Sequence, residues 1–209
     1  MTGPLPPSPP PARRGRPGYD REGMLAVAVR LFNEQGYDAT SVADLAARLG
    51  VTKSALYHHF SSKEELLAVA LDSALDALEA VLGEPGATAG SATDRLRFVL
   101  GRATDVLVTH LPAVTLLLRV RGNGPVEQAA LVRRRAFDHR IGVLVAEAQS
   151  EGGVRDDVES SVAARLLFGM INSVVEWYRP EGEVDGDRLG RDIVRLALDG
   201  LRADPERDL

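Results

Sequence analysis

Apolar residues recur at three- and four-residue intervals along most of the chain, the rhythm of one buried helical face, and no stretch alternates long enough to predict a strand. The first such run covers Asp20 to Gln35, with Met24, Leu25, Ala28, Leu31 and Phe32 on its buried stripe and Gly36 at its end. A second, short run is bracketed at both ends. Ser41 caps it with Asp44 as capping-box partner, Val42, Leu45, Ala46 and Leu49 share a face, and Gly50 stands where a helix end needs a left-handed residue. Thr52 opens a third run in which Ala55, Leu56 and Phe60 point inward, which leaves Thr52, Lys53, Ser54, Tyr57 and His58 outside or at the edge. Ser62 and Glu65 then start a long helix that reaches about Leu82, with Lys63 in its first turn.

Beyond it the composition of Gly83 to Gly90 predicts a loop. Helical spacing resumes over Ala92–His110, with Leu96, Val99, Leu100, Ala103, Val106 and Leu107 on one side, and Pro112 opens a short helix. After a break at Arg121 to Pro125, a long helix runs from about Val126 to Gln149 through Leu131, Phe137, Ile141, Leu144, Val145 and Ala148. Its cluster Arg133, Arg134, Arg135 reads as a solvated face. A loop over Ser150–Asp157 precedes the most apolar helix, Val158 to Tyr178, which is hydrophobic on more than one side and therefore needs two partners. A last helix spans about Asp187 to Leu201. The expected fold is all-α, with about nine helices.

Charge changes this picture at one end. Residues 1–63 carry six Arg and two Lys against five acidic residues, a net +3, which leaves −8 for the rest of a chain whose total is −5. Both lysines of the chain, Lys53 and Lys63, fall in the capped segment. A cationic, hydroxyl-rich and aromatic helix held by a Gly turn suits the reading helix of a helix-turn-helix, although the same spacing also suits a plain helical hairpin. Six prolines among the first eleven residues keep the N-terminus out of regular structure. Arg14-Gly15-Arg16-Pro17 after them resembles an arm that lays arginines in a narrow minor groove; a solvated basic tail is the other reading.

Other chemistries find no footing. The chain has no Cys, and its four His show no metal-ligand spacing. There is no nucleophile elbow, Walker loop or dinucleotide fingerprint. Glu64/Glu65 and Asp156/Asp157 sit near predicted helix starts, where the dipole favours them structurally. No enzyme activity, cofactor or metal is expected. No apolar run reaches the roughly 18 residues of a membrane span, and no secretion signal is visible, so a cytoplasmic, nucleoid-associated protein is expected.

The stretch from Tyr19 through Leu67, with its Gly-Tyr and Ala-Thr-Ser before the second helix, its Leu-Gly-Val-Thr turn, Leu-Tyr-His-His-Phe and Ser-Lys-Glu-Glu-Leu, resembles the N-terminal domain of the TetR/AcrR family of transcriptional regulators. Composition sets off a Pro/Arg-rich arm at 1–18, and the resemblance implies a DNA-binding domain at 19–67 and an effector-binding and dimerisation domain at 68–209. It implies a repressor that binds a palindromic double-stranded operator as a homodimer, dimerises through its last two helices and is released by a small hydrophobic effector. The end of the penultimate helix also resembles a branch whose members answer acyl-CoA thioesters. A helical DNA-binding regulator controlled by a protein partner, or by no ligand, stays open beside it. Thr52, Lys53 and Ser54 are then the base-edge candidates, Thr40, Tyr57, His58 and Lys63 the phosphate candidates, and Arg14 and Arg16 the arm's contacts. In the body, Phe98, Leu117, Phe137, Phe168 and Trp177 could wall an apolar cavity, with His110, Arg119 and Asn172 as its polar groups, though stripes of this kind also make plain core.

Overall fold

The computed structural model describes residues 20–199, all of whose regular elements are helical. The arm, with Arg14 and Arg16, lies outside the described residues, as does Leu201 at the end of the last expected helix. Ten helices are present among the described residues: α1 (Arg21–Gln35), α2 (Val42–Leu49), α3 (Lys53–His59), α4 (Lys63–Val81), α5 (Pro85–Thr88), α6 (Ala92–Thr109), α7 (Leu111–Arg119), α8 (Pro125–Ser150), α9 (Ser160–Trp177) and α10 (Gly186–Asp199).

The head is α1–α3 closed by the first turns of α4. The capping code of α2 is realised in full: Ser41 and Asp44 exchange side-chain and backbone bonds, and Gly50 takes φ +66°, a left-handed conformation that a side chain would strain. Thr52 caps α3 and Ser62 caps α4, each by accepting from the backbone N–H three residues on. Leu31, Phe32, Leu45, Leu56, Phe60 and Leu66 form the dry centre of this unit. Arg21 pins its corners: the guanidinium donates to the His59 carbonyl and to Glu65, and stands 4.6 Å over the Phe60 ring.

The 19 residues of α4 carry the chain from head to body, and α4 packs on α6, α7 and α8. Behind it, α6 lies between α10 on one side and α8 and α9 on the other. Two expectations need correction. The Gly83–Gly90 segment holds a turn of helix, α5, whose Gly86 lies so close to the Phe98 ring that a Cβ there would clash. Arg133 is not part of a solvated face; it clamps α8 to α4 by binding Asp72, Asp76 and Glu79 at once.

The body meets the head along α7 and the α7–α8 link. Asn33 of α1 donates to the Pro112 carbonyl at 2.8 Å, and Arg119 donates back to the Asn33 carbonyl at 2.9 Å. Asn123 in the link reaches Asp38 at 3.2 Å. The link is shaped by a buried carboxylate: Glu127, 6% exposed, accepts from the N–H groups of Arg121, Gly122 and Asn123 at 2.7–3.1 Å. Burial pushes its carboxyl upward, but the three donors outweigh that and hold it below the ordinary glutamate value.

Candidate nucleic-acid interface and effector pocket

The outer face of α3 presents Lys53, Ser54, Tyr57 and His58 to solvent, with Thr52 exposed at its N-terminal edge. Tyr57 is 50% exposed, an unusual position for a large ring unless something is to cover it. Lys53 and Ser54 spend no side-chain bond inside the protein among the described residues, whereas Thr52 uses its hydroxyl oxygen to cap α3. Four side chains able to meet bases or phosphates therefore share one short helix fixed by α1 and α2, with Thr52 as its N-cap.

Two phosphate candidates are placed differently. Thr40 is 1% exposed, its hydroxyl donates to the Gly36 carbonyl and its N–H to the Tyr37 carbonyl, so both donors are used inside the head. It closes the α1–α2 turn. Lys63 is half-buried, and its ammonium donates to the Tyr37 and Thr40 carbonyls at 2.9 Å each while standing 4.2 Å over the Tyr37 ring. The sequence showed a cation in the first turn of a helix; it did not show that the preceding turn aims two carbonyls and a ring at that cation. Burial first, and the Glu64, Asp38 and Glu127 carboxylates next, push the Tyr37 phenol up to about 12.

Of the eight body candidates, four come together. Leu117, Phe137, Phe168 and Asn172 line a small void of about 40 Å³, whose other walls include Ala74 and Leu78 of α4, Val106 and Leu107 of α6, and Val114 of α7. Phe137 and Phe168 meet edge to face at 5.3 Å. The remaining four lie elsewhere. Phe98 packs over Gly86 on the α5 side, because the short helix needs a cover. His110 ends α6 and begins α7. Arg119 is exposed and joins α7 to the head. Trp177 is 49% exposed on the outer side of α9.

The void adjoins a larger groove, about 650 Å³, between α8 and α9. Arg134, Asp138, Phe168 and Asn172 line both, so they form the neck between them. The groove adds Arg135, His139 and Arg165. Arg134, Arg135 and Arg165 have no carboxylate within 4.0 Å among the described residues, which is equally true of Arg30, Arg121, Arg140, Arg191 and Arg195; what sets the three apart is that they line one groove. Glu159, the other acid of the groove, is spent on the Ser161 and Val162 N–H groups at the start of α9. Sequence reasoning took Arg134 and Arg135 as part of a solvated face and did not single out Arg165. The signal was available: Arg134 and Asp138 stand four apart and lead to Ile141, within one turn of Phe137, on the helix whose stripe was already recognised.

A second unpartnered surface runs down α9. Val162, Leu166, Met170 and Trp177 are exposed together, and a Cβ on Gly169 would meet no atom within 4 Å. Leu196 of α10 is exposed as well.

Comparison with known proteins agrees with this geometry. Residues 24–70 match the family model described as bacterial regulatory proteins, tetR family, and residues 89–201 match a model described as tetracyclin repressor-like, C-terminal domain. The chain is 30% identical over 200 residues to the HTH-type transcriptional repressor KstR2 of Rhodococcus jostii, covering 93% of this chain and 97% of that protein. A solved TetR-family regulator of Streptomyces coelicolor, SCO3833, shares 50% of residues and superposes with a TM-score of 0.82 over 86% of this chain and 91% of that one. The ketosteroid transcriptional regulator KstR2 of Mycobacterium tuberculosis superposes with a TM-score of 0.78 at 25% identity, over 91% of this chain and 98% of that one.

Proposed function

Because the chain belongs to the TetR family of bacterial regulatory proteins, DNA-binding transcriptional regulators and not enzymes, we propose that it is a ligand-released repressor acting as a homodimer on a palindromic operator in the cytoplasm. The two copies of α3 enter successive major grooves about 34 Å apart. Lys53, Ser54 and Thr52 face base edges, and Tyr57 and His58 face the phosphate backbone; Arg14 and Arg16 of the arm add contacts in the adjoining minor groove. The dimer forms along the exposed stripe of α9 together with α10, where Leu166 is 66% exposed and Gly169 leaves room for a partner helix.

The effector is a hydrophobic group carrying an anionic head, with acyl-CoA the class that fits. One observation carries this: the apolar void and the arginine-lined groove adjoin through four shared lining residues, and the void is walled by α4 and α7, the helices that hold the head. A void of about 40 Å³ is near the volume of one water in the liquid, ~30 Å³. An acyl chain can enter only by spreading its walls. Moving α4 and α7 apart changes where the heads point and hence the spacing of the reading helices. A coupling of about 1–3 kcal/mol between ligand and operator, roughly 5- to 150-fold in affinity, suffices for release.

The reading helix is tested by Lys53→Ala and Tyr57→Phe, each of which should weaken operator binding about tenfold at moderate salt, with helicity and oligomeric state unchanged. Wild-type affinity in both variants would place the DNA contact on another surface.

A further inference from the structure

The neck between groove and void holds an acid where an anion-binding site would not want one. Arg134, Asp138, Phe168 and Asn172 form it, so its formal charges are one positive and one negative. Arg135, His139 and Arg165 line only the outer groove, and the elements behind the neck (α4, α6, α7) bring apolar side chains alone. Asp138 makes no hydrogen bond or ion pair within 4.0 Å among the described residues, and it is exposed where it lines the groove. The side chains packed beside it still raise its carboxyl above the ordinary aspartate value by partial burial, with Arg134 and Arg165 pulling the other way.

We propose that Asp138 makes this site selective for conjugated acyl groups over the corresponding free acids, an inference that rests on the effector reading above. With the acyl chain in the void, the atom group that follows it lies in the neck. In a free acid that group is a carboxylate. It would stand beside the Asp138 carboxylate, would compete with it for Arg134 and would lose part of its water, a like-charge cost that a neutral group in the same place does not meet. In a thioester the same position holds a neutral carbonyl, and the next groups along the arm are amides whose N–H can donate to Asp138. The phosphates then lie further out, beside Arg135 and Arg165, neither of which has a carboxylate within 4.0 Å among the described residues. Asn172, across the neck on α9, offers an amide to the neutral carbonyl and cannot neutralise a carboxylate. The outer arginines attract either ligand to the groove, and Asp138 decides which can seat its chain.

The experiment is calorimetric titration of the full chain at neutral pH with octanoyl-CoA, octanoate and coenzyme A alone. Wild type should bind octanoyl-CoA far more tightly than octanoate. Asp138→Asn, which leaves Arg134 unopposed, should gain affinity for octanoate by about tenfold, as removing one nearby like charge in a partly screened site implies. Asp138→Ser should gain in the same direction, and operator binding reports that each variant is folded. Equal wild-type affinity for ester and acid, or folded variants that gain nothing for octanoate, would overturn the selectivity while leaving the acyl-CoA reading in place. No binding of either octanoyl ligand to wild type would overturn that reading, and this inference with it.

Discussion

Glu127 shows how one residue can hold two domains in register. Its carboxylate receives three backbone N–H groups from residues 121–123, and that link carries Asn123 to Asp38 of the head. Glu127→Gln replaces a charged acceptor with a neutral one and should cost about 1–2 kcal/mol of stability at neutral pH. The sign with pH follows from the depressed carboxyl. The contribution is complete above the ordinary glutamate value of 4.5, and it is lost as pH falls through the lower folded-state value. Denaturant melts of wild type and variant should therefore converge in acid; a constant difference down to pH 3 would mean that the carboxylate charge is not what holds the link. None of this was legible beforehand, because Glu127 reads as an ordinary acid in the first turn of a helix. The internal partners of Thr40 and Lys63 were hidden in the same way. Residue type and helical phase are local properties of the sequence, whereas the carbonyls that claim these two side chains are placed by the turn between α1 and α2.

Elements were easier to read than single residues, and the reason is physical. Capping pairs such as Ser41/Asp44 act within one turn, so their pattern and their geometry coincide. The short helix α5 was missed because four residues, Pro85 to Thr88, give no period to detect. Its reason for existing, the cover it gives Phe98, is tertiary. The double-sided apolarity of α9 was visible in the sequence, and the described chain satisfies one side only: Ala164, Phe168, Ile171 and Val174 are buried while Val162, Leu166, Met170 and Trp177 are exposed. That stripe should be the dimer contact. Leu166→Glu would place a charge at its centre and should shift the protein to monomer at micromolar concentration by light scattering, with its helicity kept. A dimer that survives the substitution would move the interface off α9.

At the scale of the whole molecule, the head and the void in the body are joined by parts that each do local work. Arg133 fixes α4 to α8, Asn33 and Arg119 fix α1 to α7, and α4, α7 and α8 also line the void. The order of helices and the position of the head could be read from periodicity and caps. The pocket could not, because its residues come from five helices and only their packing brings them together. The measurement that bears most directly on the account is fluorescence anisotropy of a labelled operator duplex, selected from a random pool by the protein itself, titrated with octanoyl-CoA at fixed salt. The account predicts release, with operator affinity falling at least fivefold at saturating ligand. Operator affinity that stays unchanged while the same ligand raises the melting temperature would show that the pocket is occupied without being coupled to the head, and would contradict it.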